Sequence, residues 1–270
     1  MAIVKLYESE QFLVVNKPYD MFINSDDEKE KNTVTCHIAL HDSHRANSAN
    51  PLHFVQRLDY ATSGILCIAL TKTAAASAGK LFEKRLTKKY YLAIVRGHID
   101  VEMCDIQYPI GVDQTSSETS HKMIALTETT EAVCGLPRAA HTRLLALETG
   151  YYEGNPVSVV LLKPVTGRRH QLRVHCSTIG HTVLGDYTYS ERQDTAPHRM
   201  FLHATRLVLP LREEPLDIQT SEPFFSDDRF SSKWKPLCAK YNYRNKEDFL
   251  AVCDIIDKSY EIGVQYKLFS

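Results

Sequence analysis

The 270-residue sequence predicts an α+β fold. Three observations carry this reading. "HTRLLALET" (141–149) and "PVSVVLLKP" (156–164) are two strand-like runs around the turn-rich "GYYEGN", so they read as a pair. Other strands mix with helices without regular βαβ alternation, which argues against a doubly wound sheet. The chain holds no internal repeat or low-complexity tract.

The elements follow in order. "QFLVVNKP" (11–18) is an apolar run stopped by proline, hence a strand. "NTVTCHIALHDSH" (32–44) reads as a helix. "GILCIAL" (64–70) is short and wholly apolar, which predicts a central strand. "TKTAAASAGKLFEKRL" (71–86) offers threonine caps ahead of strong helix formers. "KKYYLAIVRG" (88–97) has the β-branched and aromatic content of a strand. Residues 98–138 are mixed and polar and give no clear element. In "RHQLRVHCSTIG" (169–180), Leu172, Cys176 and Ile179 share a helical face and Gly180 suits the position after the last turn. "FLHATRLVLP" (201–210) predicts a strand, and 231–258 a helical segment. Residues 1–225 are expected to form the main domain. Residues 226–270 are expected to form a C-terminal helical extension packed on it through Trp234, Leu237, Phe249 and Val252.

Composition narrows the class. With 43% hydrophobic and 24% charged residues, the chain has the balance of a soluble globular protein. No stretch nears the roughly 18 apolar residues of a membrane span, so no membrane partner is expected. "MAIVKLYESE" carries two acids and no arginine, unlike a targeting presequence. The seven cysteines are odd in number, widely spaced and free of CxxC pairs. They read as reduced core thiols of a cytoplasmic protein, with the nucleus as a second compartment. Net charge is −1, yet charge is segregated. Residues 79–97 carry six Lys/Arg against one Glu, and 163–173 carry four Lys/Arg and no acid. Two such basic segments can present a phosphate-binding face on a neutral protein.

"RLDYATSGILCIAL" (57–70) places Arg57 and Asp59 at the lip of an apolar run. Asp is common before tight turns, so Asp59 is either a turn-former or a reactive carboxylate. Tyr90 and Tyr91 lie in a later strand flanked by lysines, and Arg173 lies on a helix after the turn "TGRRHQLR". An aspartate, a tyrosine and an arginine at element edges beside basic residues are suited to one pocket on a polyanion.

These segments carry a resemblance. "RLDYATSG" resembles the HRLDxxTSG motif of the RluA family of pseudouridine synthases, and "TGRRHQLRVHCSTIGHTVLGDYTY" resembles its TGRxHQLRVHxxxxGHPILGDxxY motif. "LVVNKP" is similar to the opening strand of that family, and "KKYYLAIVRG" to its K-x-Y-x-A-x-V-x-G strand. Four motifs in order, from about residue 10 to 210, resemble most nearly the animal "RNA pseudouridylate synthase domain-containing" branch. The resemblance implies the pseudouridine synthase fold, a mixed and mainly antiparallel sheet flanked by helices and loops, with an active-site cleft across it. It implies an isomerase acting on RNA (tRNA, rRNA or mRNA), with no cofactor or metal. Asp59 matches the catalytic aspartate. Tyr91 matches the active-site tyrosine, because Ala93, Val95 and Gly97 fix the register. Arg173 matches the arginine that pairs with the aspartate, Arg57 an arginine contacting RNA near the extruded base, and Leu172 the apolar surroundings. Lys88, Lys89, Arg168 and Arg169 are the expected phosphate contacts. A monomer is expected.

Two departures bear on the site. Gln56 replaces the motif histidine, and in "KPYDMFINSDD" Asp20 stands at a motif glycine with no histidine following. They motivate the rival reading of an inactive RNA-binding protein on the same fold. A metal hydrolase is the other rival, through His37, His41 and His44 at i, i+4, i+7 and the nearby His170 and His175. It lacks an HExxH motif and a carboxylate triad.

Overall fold

The computed structural model describes residues 3–41, 52–115 and 122–270, in two units. The first holds the chain up to Lys89 together with Leu202–Thr220, and the second holds Tyr90–Phe201 and Ser221–Ser270. The C-terminal segment belongs to the second unit from Ser221 on.

In the first unit, β1 (Val4–Glu8) pairs antiparallel with β2 (Phe12–Lys17), and β2 with β4 (Ser63–Ala69). Helix α1 (Val34–His41) ends before the residues left undescribed, so His44 lies outside the described residues. Strand β3 (His53–Phe54) pairs antiparallel with the far end of β4. All seven residues of β4 are buried, as its uninterrupted apolar run requires. Helix α2 (Lys72–Glu83) starts at Thr71, whose side chain accepts from the Ala74 amide. Its small residues Ala74 and Ala78 bring the helix down onto Phe12, Val14, Ile65 and Cys67.

The chain then runs through β5 (Lys88–Arg96) into the second unit. Strand β6 (Met103–Ile106) is followed by β7 (Ile110–Asp113), β8 (Met123–Ala125) and β9 (Cys134–Arg138). The last three form a small sheet in the order β8-β7-β9, within the segment that gave no element in sequence. Strands β10 (Thr142–Tyr152) and β11 (Asn155–Pro164) form the expected pair. They are longer than their apolar cores, because only Glu153 and Gly154 of "GYYEGN" serve as the turn. Helix α3 (Gln171–Thr178) ends at Ile179, with Gly180 next, as predicted. Strand β12 (Leu202–Leu209) returns to the first unit, pairing parallel with β4 and antiparallel with β13 (Leu216–Gln219).

The C-terminal segment corrects the helical reading. After the short α4 (Asp228–Ser231), Trp234–Ala239 is a strand, β14, on the edge of β10. "WKPLCA" contains Pro236 and little helical periodicity, so the edge pairing prevails. Leu237 is exposed rather than packed. The helix is confined to α5 (Lys246–Asp257), where Asn245 caps the Asp248 amide and Phe249, Val252, Cys253 and Ile256 are buried. A last strand, β15 (Lys267–Phe269), adds parallel to β6. The main sheet of this unit thus runs β5-β11-β10-β6-β15.

Strand register separates the two faces of that sheet. Tyr91 lies opposite Leu162, which lies opposite Leu144, two residues from Thr142. Thr142 Oγ1 meets Gln171 and His175 of α3 at 3.0 and 2.8 Å, so α3 covers this face. The other face carries Tyr90, Arg143 and Lys163. The Tyr90 hydroxyl and the Lys163 ammonium bond the Asp257 carboxylate, and Arg143 donates to the Ile256 carbonyl, so α5 covers that side.

Gly64 fixes the β4–β12 contact. Its φ is +112°, and a Cβ there would lie 2.3 Å from the Ala204 carbonyl oxygen. Both facts exclude any other residue without backbone movement. Gly64→Ala is expected to cost at least about 3 kcal/mol in denaturant unfolding. Wild-type stability in that variant would show that β12 can shift freely.

Candidate active site

Asp59 sits at a pinned turn of the first unit. The Thr62 amide donates to the Asp59 carbonyl at 3.1 Å. Lys17, 0% exposed, directs its ammonium to the carbonyls of Pro18, Met21 and Tyr60 at 3.0, 2.8 and 3.0 Å. The Met21 amide also donates to the Tyr60 carbonyl. A buried cation is tolerated only when fully bonded, and here its bonds fasten the residue following Asp59. On the other side of the turn, Ser63 Oγ meets His203 Nδ1 at 2.7 Å and His203 Nε2 meets Thr220 Oγ1 at 2.8 Å. The lysine of "LVVNKP" and the Ser-Gly of "RLDYATSG" are thereby explained as the mount of the aspartate. Asp59 is half-buried and Arg57 exposed.

The two departures turn out to serve the same mount. Gln56 donates its side-chain amide to the Ile65 carbonyl at 3.0 Å, closing the loop from within rather than reaching outward. Asp20 keeps the left-handed conformation that its motif glycine would adopt, with φ +53°, and Asn32 donates to its carbonyl. Aspartate is among the few residues that adopt this conformation at modest cost.

In the second unit, Tyr91 and the helix bearing Arg173 share one face of the sheet. Neighbouring Tyr90 is wholly buried and committed to Asp257, so alternation gives the two tyrosines opposite faces. The Arg173 guanidinium is buried and held in a fork by Asp186, Nε to Oδ2 at 2.7 Å and Nη2 to Oδ1 at 2.8 Å. Its flat face lies 5.0 Å from the Tyr189 ring centre. Asp186 also accepts from the amides of Thr188 and Tyr189. Sequence reasoning missed Asp186 as the partner, although it stands in the quoted "LGDYTY". The motif glycine before it explains itself, since a Cβ on Gly185 would lie 2.1 Å from the Arg199 carbonyl oxygen. Asp186 thus takes both Nε and Nη2 of the guanidinium, a bidentate pair.

The turn before α3 is built by "TGRRHQLR". Gln171 Oε1 accepts from the Thr166 hydroxyl and the Arg168 amide, and its Nε2 donates to the His141 carbonyl and Thr142. Arg168 donates its Nε to the Ala139 carbonyl, whereas Arg169 is exposed. Leu172 is buried. The small sheet supports this helix, since Val174 packs with Ile110 and Ala125, and the Tyr189 hydroxyl accepts from the Met123 amide. Ile110, Met123 and Ala125 therefore contribute to the bed on which the helix of Arg173 lies.

The basic segments are not uniform. Lys84, Arg85 and Lys88 are exposed. Lys89 is half-buried, and desolvation lowers its ammonium from 10.5 to about 8. Two histidines of the metal reading, His175 and His170, have other roles. His175 bonds Thr142 and the Tyr108 carbonyl, and burial lowers its pKa to about 4, so it is neutral. His170 bonds Tyr189. Among the described residues, no group of three or more His, Cys, Asp or Glu could hold a metal ion. Burial pushes the Cys67 and Cys104 thiols up to about 12, consistent with packing groups. Among the described residues, no helix is long and apolar enough to cross a membrane.

Comparison with known proteins agrees with this architecture. The RNA pseudouridylate synthase family model matches residues 11–178, and the chain belongs to that family. It is 44% identical over 234 residues to RNA pseudouridylate synthase domain-containing protein 1 of Danio rerio, covering 86% of this chain and 78% of that one. It is 36% identical over 210 residues to the dual-specificity RNA pseudouridine synthase RluA of Escherichia coli K12, covering 77% of this chain and 86% of that one. The solved structure of human RNA Pseudouridylate Synthase Domain Containing 1 matches with a TM-score of 0.78 at 35% identity, over 96% of this chain and 97% of that one. The fold is the pseudouridine synthase fold, and the chain is an isomerase of the RNA pseudouridine synthase class.

The Arg173–Asp186 fork generates a test. Asp186→Ala leaves a buried guanidinium without its carboxylate and is expected to cost about 3–5 kcal/mol of stability. Unchanged thermal unfolding of that variant would show that Arg173 does not depend on the fork.

Proposed function

We propose that this enzyme isomerises uridine to pseudouridine in RNA with Asp59 as the nucleophile and with Tyr91 and Arg173 beside the reacting base. The observation that carries the reading is the mount of Asp59, a half-buried carboxylate on a turn whose backbone is fixed by a buried lysine. Such rigidity suits a group that must meet a substrate atom without reorganising.

In the reaction the C1′–N1 bond breaks and a C1′–C5 bond forms. C5 loses a proton and N1 gains one, so no redox partner enters. Asp59 adds to C6 of the ring or to C1′ of the ribose, and both routes need the ionised carboxylate. A guanidinium would favour that charge, and the family resemblance gives this role to Arg173. The uridine must leave its stack to reach the site, at a cost of a few kcal/mol. Tyr91 would stack on the extruded base, and its hydroxyl would help remove the C5 proton. Arg57 would fill the vacated position. Lys88, Lys89, Arg168 and Arg169 would follow the phosphates. We infer that the protein works as a cytoplasmic monomer, with no cofactor, on tRNA, rRNA or mRNA.

Mapping pseudouridine in RNA from cells with and without the protein identifies its target. On that uridine Asp59→Asn is expected to abolish product while RNA binding persists. Full activity would remove the nucleophile assignment, and absence of product with wild-type protein would favour an RNA-binding role alone. Tyr91→Phe is expected to bind RNA and stall before release of the C5 proton, measured as lost tritium release from [5-³H]uridine.

Lys89 gives a pH dependence with a definite sign. Its folded-state value of about 8 lies below the ordinary 10.5. Between these values the unfolded chain binds more protons, so the Lys89 contribution to stability rises with pH. RNA affinity owed to Lys89 should fall over the same rise as its charge is lost. The difference in affinity between wild type and Lys89→Met is therefore expected to shrink above pH 8. A constant difference up to pH 10 would show a fully solvated ammonium.

A further inference from the structure

The turn that holds Asp59 also carries an exposed aromatic pair. Phe22 and Tyr60 are each 42% exposed, and their ring centroids are 4.5 Å apart at an interplanar angle of 50°. Their backbones are tied down. The Phe22 amide donates to the Asn32 carbonyl at 3.1 Å, and its carbonyl accepts from the Val34 amide at 2.8 Å. Tyr60 follows Asp59 directly, and its carbonyl takes the Lys17 ammonium and the Met21 amide. Two large rings are thus kept partly in water on a hydrogen-bonded support.

We propose that Phe22 and Tyr60 form a stacking platform for an unpaired nucleobase adjoining the target uridine in the RNA strand. The proposal rests on Asp59 being the reacting group, because the platform adjoins that residue in the chain. Every base has a π face, and aromatic side chains bind unpaired bases through it. The rings are already ordered, so binding costs little side-chain entropy. Charge selects a base here rather than a phosphate. The carboxylates of Asp20 and Glu30 act on the Tyr60 hydroxyl, whose pKa is raised by burial first and by these two charges next. A phosphate would be repelled from that corner, whereas a neutral base is not. Asp20, in its left-handed turn, and Phe22 both belong to the stretch that departs from the family motif, so the platform would bear on which sequence context is accepted.

The test uses RNA stem-loops carrying the mapped uridine, with 2-aminopurine placed on its 5′ or its 3′ side. Binding is followed by fluorescence in the Asp59→Asn background, which removes turnover. At one of the two positions fluorescence should be quenched on binding. Phe22→Leu with Tyr60→Leu keeps apolar volume and removes both π faces. It should lose the quenching and weaken affinity by about 5-fold to about 100-fold, with thermal unfolding near that of the parent. Phe22→Ala and Tyr60→Ala should each give part of the loss, and Tyr60→Phe should retain the quenching. Unchanged quenching and affinity in the double leucine variant, while wild type makes pseudouridine, would overturn the platform and leave the Asp59 reading intact. Lost quenching together with full activity of Asp59→Asn would overturn the Asp59 reading and keep the platform as an RNA contact.

Discussion

The buried ammonium of Lys17 is the constraint on which the turn of Asp59 depends. A lysine with no exposure is stable only if all three N–H groups are used, and the three carbonyls that use them belong to two separate loops. Pro18 and Met21 bracket the first loop, and Tyr60 follows Asp59 in the second. The charge therefore links the loops and sets their relative position. The fold by itself fixes the path of this segment. Gly64 extends the same logic to the base of the turn, where β12 approaches too closely for any side chain.

The second unit solves the parallel problem for a cation. Arg173 lies on a short helix with no acid in its first turn. Its direction is set instead by the buried carboxylate of Asp186 and by the Tyr189 ring. The carboxylate is in turn fixed by two backbone amides of its own loop. A guanidinium held on one side by a fork has few directions left for its remaining N–H groups. That is a cheaper route to orientation than ordering a long side chain on binding.

Much of this was legible in the sequence. The buried strand at 64–70, the capped helix at 71–86 and the hairpin at 141–164 were readable because local pattern and tertiary role agree. Asp59, Tyr91 and Arg173 were marked out by motif, and the choice of Tyr91 over Tyr90 followed from counting along the strand. What escaped reading depends on distant partners. Nothing local announces that Lys17 meets Tyr60 or that Arg173 takes Asp186. "KWKPLCA" became a strand only because the edge of β10 was open to it. Residues 98–138 resisted because their strands are three to five residues long, too short for a period to emerge. Lys89 looked like its neighbours in a basic run, and only burial distinguishes it.

The departures from the motifs show how the support of the Asp59 turn can tolerate a changed sequence here. A motif is a record of both chemistry and support, and the two parts change under different rules. Gln56 supplies an N–H that reaches the Ile65 carbonyl, so a support function is met by a different side chain. Asp20 adopts the positive φ expected of glycine, so the loop path survives with a carboxylate added. Neither change alters the identity of Asp59, Tyr91 or Arg173. Each sits in the mount of the aspartate, where it serves backbone geometry. A substitution that preserves that geometry is free to alter the surface around it. The added charge at Asp20 is such an alteration, two residues from the exposed ring of Phe22, at a place where an RNA strand entering the proposed site would meet them.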